Sequence, residues 1–142
     1  MSLVDPALVS ALQSALSPIP SVMVAWLFGS RTRGAARPDS DVDVAVLFSP
    51  TLDARGRHEA TLDVLDALAA RLGPLGERAD VLDLADAGSA VAFSAVRDGV
   101  CVVDRGDGMR AHAVARIARR YDDDAPRRAL MQRAAIDAAR GR

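Results

Sequence analysis

Two aspartates two residues apart, Asp41 and Asp43, head the apolar run Val42 to Phe48 in Ser40-Asp41-Val42-Asp43-Val44-Ala45-Val46-Leu47-Phe48. Side chains on a strand alternate faces, so both carboxylates point the same way, roughly 6–7 Å apart along the chain. Ionised at neutral pH, they repel each other unless a positive charge sits between them. A hard divalent cation suits the pair, because Mg²⁺ takes one or two carboxylates and completes its shell with water and phosphate oxygens. Upstream, Val22-Met23-Val24-Ala25-Trp26-Leu27-Phe28 reads as a buried strand that delivers Gly29-Ser30 to its end. Backbone N–H groups at such a turn, with a hydroxyl beside them, suit an anionic oxygen. Arg31, Arg33 and Arg37 lie between the turn and the acidic strand. Guanidinium forks match phosphate geometry, which makes Arg31 and Arg33 the candidate phosphate contacts beside Gly29 and Ser30. Gly34 is expected to take a backbone conformation closed to other residues.

Gly29-Ser30, ten intervening residues and then Asp41-x-Asp43 resembles the signature of the nucleotidyltransferase superfamily that includes DNA polymerase β. The wider wording, Gly29-Ser30-Arg31-x-Arg33-Gly34 followed by Ser40-Asp41-x-Asp43, resembles its smallest members, the minimal nucleotidyltransferase (MNT) proteins. The resemblance implies an α/β (α+β) nucleotidyltransferase fold: a small mixed central sheet of about four strands flanked by helices, with C-terminal helices. Residues 1–106 would form the minimal domain and residues 107–142 a helical extension of it. In that family a third metal-site carboxylate comes from a later strand. Ala79-Asp80-Val81-Leu82-Asp83-Leu84 resembles that stretch. Asp80 and Asp83 are three apart and so lie on opposite faces; Asp80 is the expected member of the site, and Asp83 is expected to cap the following turn. Arg97 occupies the family's usual arginine position, in a helix-Arg-Asp-Gly-strand ending.

The chemistry implied is an in-line displacement at an α-phosphate, with Asp41, Asp43 and Asp80 as catalytic, metal-holding groups for two Mg²⁺ ions and ATP as the substrate. The acceptor is harder to read. Antibiotic-modifying relatives carry an extra helical domain for which this chain leaves no room, so another macromolecule is the expected acceptor. MNT proteins of this kind are commonly antitoxins that add AMP to a tyrosine of a HEPN-domain ribonuclease toxin, and the resemblance implies that partner here. Two other readings stand beside it: an adenylyltransferase for a small molecule such as an aminoglycoside, its pocket completed by a homodimer, and a non-catalytic nucleotide-binding partner protein. The three carboxylates argue against the last, which has no chemical need of them.

At 142 residues there is room for one domain with a core. Half the residues are apolar, but no run reaches bilayer length, so no membrane is expected. The N-terminus shows no basic-then-apolar export pattern, and Cys101 is the sole cysteine; both fit the cytoplasm. Charge is uneven. Residues 1–37 carry three Arg against one Asp, residues 38–104 five Arg against thirteen acids, and residues 105–142 ten Arg against five Asp. The basic end suits an acidic protein or a nucleic-acid backbone, and direct nucleic-acid binding is not expected as the main role.

The remaining elements follow from local signals. Asp5-Pro6 starts a helix carrying Leu8, Leu12 and Leu16, which Pro18 and Pro20 end. Asp53 caps a helix running to about Leu72, with Leu62, Leu65, Leu68, Ala69 and Leu72 as its expected apolar stripe. Residues 77–84 read as the third strand, 89–98 as a helix with Val91 among its apolar residues, and 100–103 as a final strand. Two helices follow, separated at Asp122-Asp123-Asp124, where Asp124 with Pro126 is expected to cap the second. His58 and His112 are expected on the surface.

Overall fold

The computed structural model describes residues 4–32 and 40–141. Four strands, β1 (Val22–Phe28), β2 (Asp43–Phe48), β3 (Asp80–Asp83) and β4 (Val100–Asp104), form one sheet in the order β3-β2-β1-β4. The β2–β3 pair is parallel; β1 is antiparallel to both β2 and β4. The fold is thus α/β with a mixed four-stranded sheet.

The two central strands are apolar on both faces because each face is covered by helices. On one face α1 (Pro6–Leu16) and α2 (Ala54–Leu72) set Leu12, Leu16, Val64 and Leu68 against Val44, Val46 and Leu27. On the other, α4 (Ser89–Asp98) and α5 (Met109–Asp123) set Ala92, Ala95, Ala113 and Ile117 against Trp26, Ala45 and Leu47. A short helix, α3 (Pro74–Glu77), leads into β3, and α6 (Ala125–Arg140) ends the chain. Among the described residues no helix is long and apolar enough to cross a membrane.

The caps at Asp5 and Asp53 form as expected, their carboxylates accepting from the Ala7 and Gly56 amides at 2.9 and 2.8 Å. Three local expectations are corrected. The buried stripe of α2 is Ala60, Val64 and Leu68, an i, i+4, i+8 series, whereas Leu62 is 48% exposed. The wheel is phased by the smaller residues because α2 meets both the sheet and α1. The third strand begins at Asp80, since residues 74–77 spend their backbone on a helical turn instead. Asp124 does not cap α6 with its side chain; it accepts a 2.6 Å hydrogen bond from Ser89 Oγ and ties the end of α5 to the start of α4.

Arg105 holds a further junction. Its guanidinium donates to the Val22, Ser17 and Ile19 carbonyls at 2.9, 3.0 and 2.9 Å, satisfying three acceptors of the α1–β1 connection from the far end of β4.

Candidate active site

β1 ends at Phe28, and Gly29–Thr32 turn through one short 3₁₀ segment. Gly29 has φ +83°, a conformation open to glycine and strained for other residues. Thr32 Oγ1 donates to the Gly29 carbonyl at 2.8 Å and closes the turn. Arg31 lies half-buried, its Nε and Nη2 donating to the Ser40 carbonyl at 3.3 and 2.7 Å. That fork fastens the turn to the residue before Asp41. Arg33, Gly34 and Arg37 lie outside the described residues.

Asp41 is exposed in the segment leading into β2, and Asp43 is that strand's first residue, half-buried. Asp43 sits directly against the turn: a Cβ added to Gly29 would lie 2.3 Å from its Oδ2. Glycine at position 29 therefore does two things, taking the positive φ and leaving space for a carboxylate.

β3 joins β2 in parallel, with Asp80 opposite Asp43, Val81 opposite Val44 and Asp83 opposite Val46. The Asp80 amide donates to the Val42 carbonyl at 2.9 Å and fastens this register. Partners in a parallel ladder project to the same face, so Asp80 and Asp43 share the α4 side, as Leu82 and Ala45 do. Asp83 points the other way. It accepts from Arg57 Nε of α2 at 3.0 Å, and the same guanidinium reaches Asp86 at 3.2 Å. The hydrogen bond to Asp83, followed by the charges of both aspartates, raises the Arg57 pKa above its ordinary value. Asp83 also accepts from the Ala85 amide at 3.0 Å, capping the turn after β3 as the sequence suggested. Among the described residues no three acidic, histidine or cysteine side chains converge closely enough to hold an ion by themselves. Carboxylates at the head of two adjacent strands beside a glycine turn still give the oxygen donors that Mg²⁺ takes when phosphate and water supply the rest.

Residues 10–107, more than half of the chain, match the family described as polymerase beta, nucleotidyltransferase. The chain belongs to that family. The nucleotidyltransferase has no match among curated proteins. Among solved structures, a chain of a toxin–antitoxin crystal structure with AMP-PNP is 24% identical, covering 89% of this chain and 98% of that one, with a TM-score of 0.70. A chain of the MntA–HepT toxin–antitoxin is 22% identical over 92% and 99%, with a TM-score of 0.64. A chain from a tri-AMPylated Shewanella oneidensis HEPN toxin in complex with MNT antitoxin is 24% identical over 89% and 95%, at a TM-score of 0.58. At these identities the likeness is one of fold.

Beside the turn lies a cavity of about 420 Å³, lined by Gly29, Thr32 and Asp43 on one side and by Val91, Ser94 and Asp98 of α4 on the other. The sequence reading placed Val91 with the apolar residues of α4, yet it is 50% exposed and faces this cavity. Positions 90, 91, 94 and 98 repeat at helical spacing, so the signal was present, but only the packing of α4 on the sheet says which stripe meets the site. Asp98 is held from behind by a bidentate pair with Arg97 at 3.0 and 2.9 Å. Chiefly through that hydrogen bond to Asp98, the Arg97 pKa is raised. Arg97 also lies over the Phe93 ring, 5.2 Å from its centroid. Cys101 is half-buried with Sγ donating to the Val103 carbonyl at 3.3 Å, and desolvation raises its pKa. His58 and His112 are exposed, as expected.

Proposed function

We propose that this nucleotidyltransferase moves AMP from ATP, with Mg²⁺, to a tyrosine hydroxyl of a HEPN-type ribonuclease toxin and so acts as its antitoxin. The observation that carries the reading is the fit of Gly29 against the Asp43 carboxylate, with Asp80 in register on the next strand. The likeness in fold to chains of toxin–antitoxin structures, one with AMP-PNP and one with an AMPylated HEPN toxin, supports the choice of nucleotide and partner. Residues 1–106 are the transferring unit in this reading, and residues 107–142 its helical extension.

Amides and hydroxyl at Gly29-Ser30 would receive the β- and γ-phosphate oxygens, with Arg31 and Arg33 as the cationic groups beside them. Asp41, Asp43 and Asp80 would hold Mg²⁺. When bound, Mg²⁺ neutralises triphosphate charge and lowers the pKa of the acceptor hydroxyl. The α4 wall, through Val91 and Ser94, closes the side of the cavity opposite Asp43 and limits water around the reacting phosphate. In the step itself the acceptor hydroxyl gives its proton to water, its oxygen bonds to the α-phosphorus, the bond from that phosphorus to the bridging oxygen breaks, and pyrophosphate leaves in line.

The test is transfer of label from α-labelled ATP to a HEPN-type protein, sought first as the product of the neighbouring reading frame, with Mg²⁺ present. The expected result is an AMP mass increment on a partner tyrosine, lost in the Asp41→Asn, Asp43→Asn double variant. Equal transfer by that variant overturns the site; label on a small molecule alone overturns the acceptor.

A further inference from the structure

α6 is a helix of sixteen residues in which no residue is buried. Leu130 and Met131 are 67% and 63% exposed, and with Ala134 and Ala138, at i, i+1, i+4 and i+8, they share about a quarter of the helix circumference, while Ile136, 50% exposed, lies on another side. What its own chain provides is a fastening at the root: the Arg128 guanidinium lies 3.5 Å from the Tyr121 ring centroid and donates to the Tyr121 carbonyl. Tyr121 in turn stacks on Phe93 of α4, with centroids 4.4 Å apart. The anchored base sets the direction of the helix, while its apolar stripe is left exposed by the described residues. A helix of this length is marginal in water by itself, and most helical stability in proteins comes from packing an amphipathic face.

We infer that this stripe is the seat of a helix of the partner protein, one with an apolar ridge edged by acidic residues. The inference rests on the partner-modifying reading above and adds which surface takes the partner. Charge argues for the occupant. α6 carries Arg127, Arg128, Arg133 and Arg140 against Asp137 alone. Arg127 heads the stripe, three residues before Leu130 and four before Met131, and Arg133 and Arg140 edge one side of it, so an acidic-edged ridge is complementary. A second copy's α6 would set arginine against arginine. A nucleic-acid backbone is met by basic side chains along a polar ridge, whereas here the central line is Leu130, Ala134 and Ala138. Small residues at 134 and 138 also let two helix axes come to about 8–10 Å, which suits a helical partner.

The experiment uses the full chain, wild type and Leu130→Asp with Ala134→Asp, titrated with the HEPN-type protein that the transfer test labels, with hydrogen exchange read at α6. ATP binding of each variant is measured separately. The expected result is a complex whose α6 amides slow on partner addition and which the variant weakens about 30-fold or more, as loss of a central apolar anchor does, with ATP binding unchanged. Equal affinity of the variant, or α6 amides that exchange alike with and without partner, overturns the inference and leaves the transferase reading standing. Protection of α6 in the isolated chain at dimer mass, or binding of a labelled single-stranded RNA abolished by the same variant, also overturns it. Absence of any complex with wild type overturns the partner reading itself, and this inference with it.

Discussion

Asp80 stands opposite Asp43 across the parallel β2–β3 ladder, on the same face of the sheet, three residues before an aspartate that turns to the other face and pairs with Arg57. On the proposed reading the two acids of this short strand have different work. Asp43→Asn or Asp80→Asn should then lower AMP transfer about 100-fold or more, because each removes a charge that would hold Mg²⁺ beside the phosphates; Asp80 is exposed, so Asp80→Asn should leave the melting temperature nearly unchanged. Asp83→Asn should do the reverse, lowering the melting temperature while transfer is kept. Transfer rates and thermal melts on all three variants decide it; a loss of transfer in Asp83→Asn larger than that in Asp80→Asn would reverse the assignment.

Gly29 makes a sharper case. Ala at this position meets Asp43 Oδ2 at 2.3 Å and a φ of +83°. Gly29→Ala should cost about 1–3 kcal/mol of stability and should also displace Asp43. Transfer should therefore fall further than the stability change explains, at a temperature where the variant is fully folded. Retention of wild-type turnover there would show that Asp43 has room to move without consequence.

The corrected phase of α2 is open to a direct comparison. Leu68 is fully buried and Leu62 is 48% exposed. Leu68→Ala should destabilise by about 2–5 kcal/mol through lost burial and the cavity left behind. Leu62→Ala should stay within about 0.5 kcal/mol. Urea midpoints of the two variants, with unchanged slopes, are the measurement.

Arg105 gathers three backbone carbonyls with one planar fork. Arg105→Lys keeps the charge and loses the geometry, so it should recover little of the stability that Arg105→Ala loses. The loss should be about 1–3 kcal/mol. A lysine variant as stable as wild type would mean that charge alone matters at this junction.

Burial raises the Cys101 pKa, so the folded state favours the neutral thiol. With a folded pKa above the unfolded one, this group's contribution to stability is complete below the unfolded pKa and is lost as pH climbs through the folded value. Near pH 8 the thiol should react with iodoacetamide more slowly than a free cysteine and should speed up on unfolding in urea. Mass spectrometry of the time course reads this, and a rate equal to that of free cysteine under native conditions would contradict it.

Much of this protein was legible in one dimension. Asp5 and Asp53 announced their helices, and the spacing from Gly29-Ser30 to Asp41-x-Asp43 carried the family, although β2 begins at Asp43 and leaves Asp41 outside the strand whose alternation was expected to pair them. These are signals between near neighbours, where backbone geometry alone relates the side chains. Periodicity also put Asp80 and Asp83 on opposite faces, but which face met Asp43 depended on register, and register is set by the hydrogen bond from the Asp80 amide to the Val42 carbonyl, across nearly forty residues of chain. The same holds for α2, whose buried line runs through Ala60 and Val64 because the sheet and α1 press on that side, and for Asp124, which a serine thirty-five residues away took from its expected cap. Val91 belongs here too: it counts among the apolar residues of α4, and the packing of that helix turns it to the cavity beside Gly29 and Asp43. Local chemistry named the acids and the turn; only distant contacts, with their own distances and angles, decided which surfaces face one another.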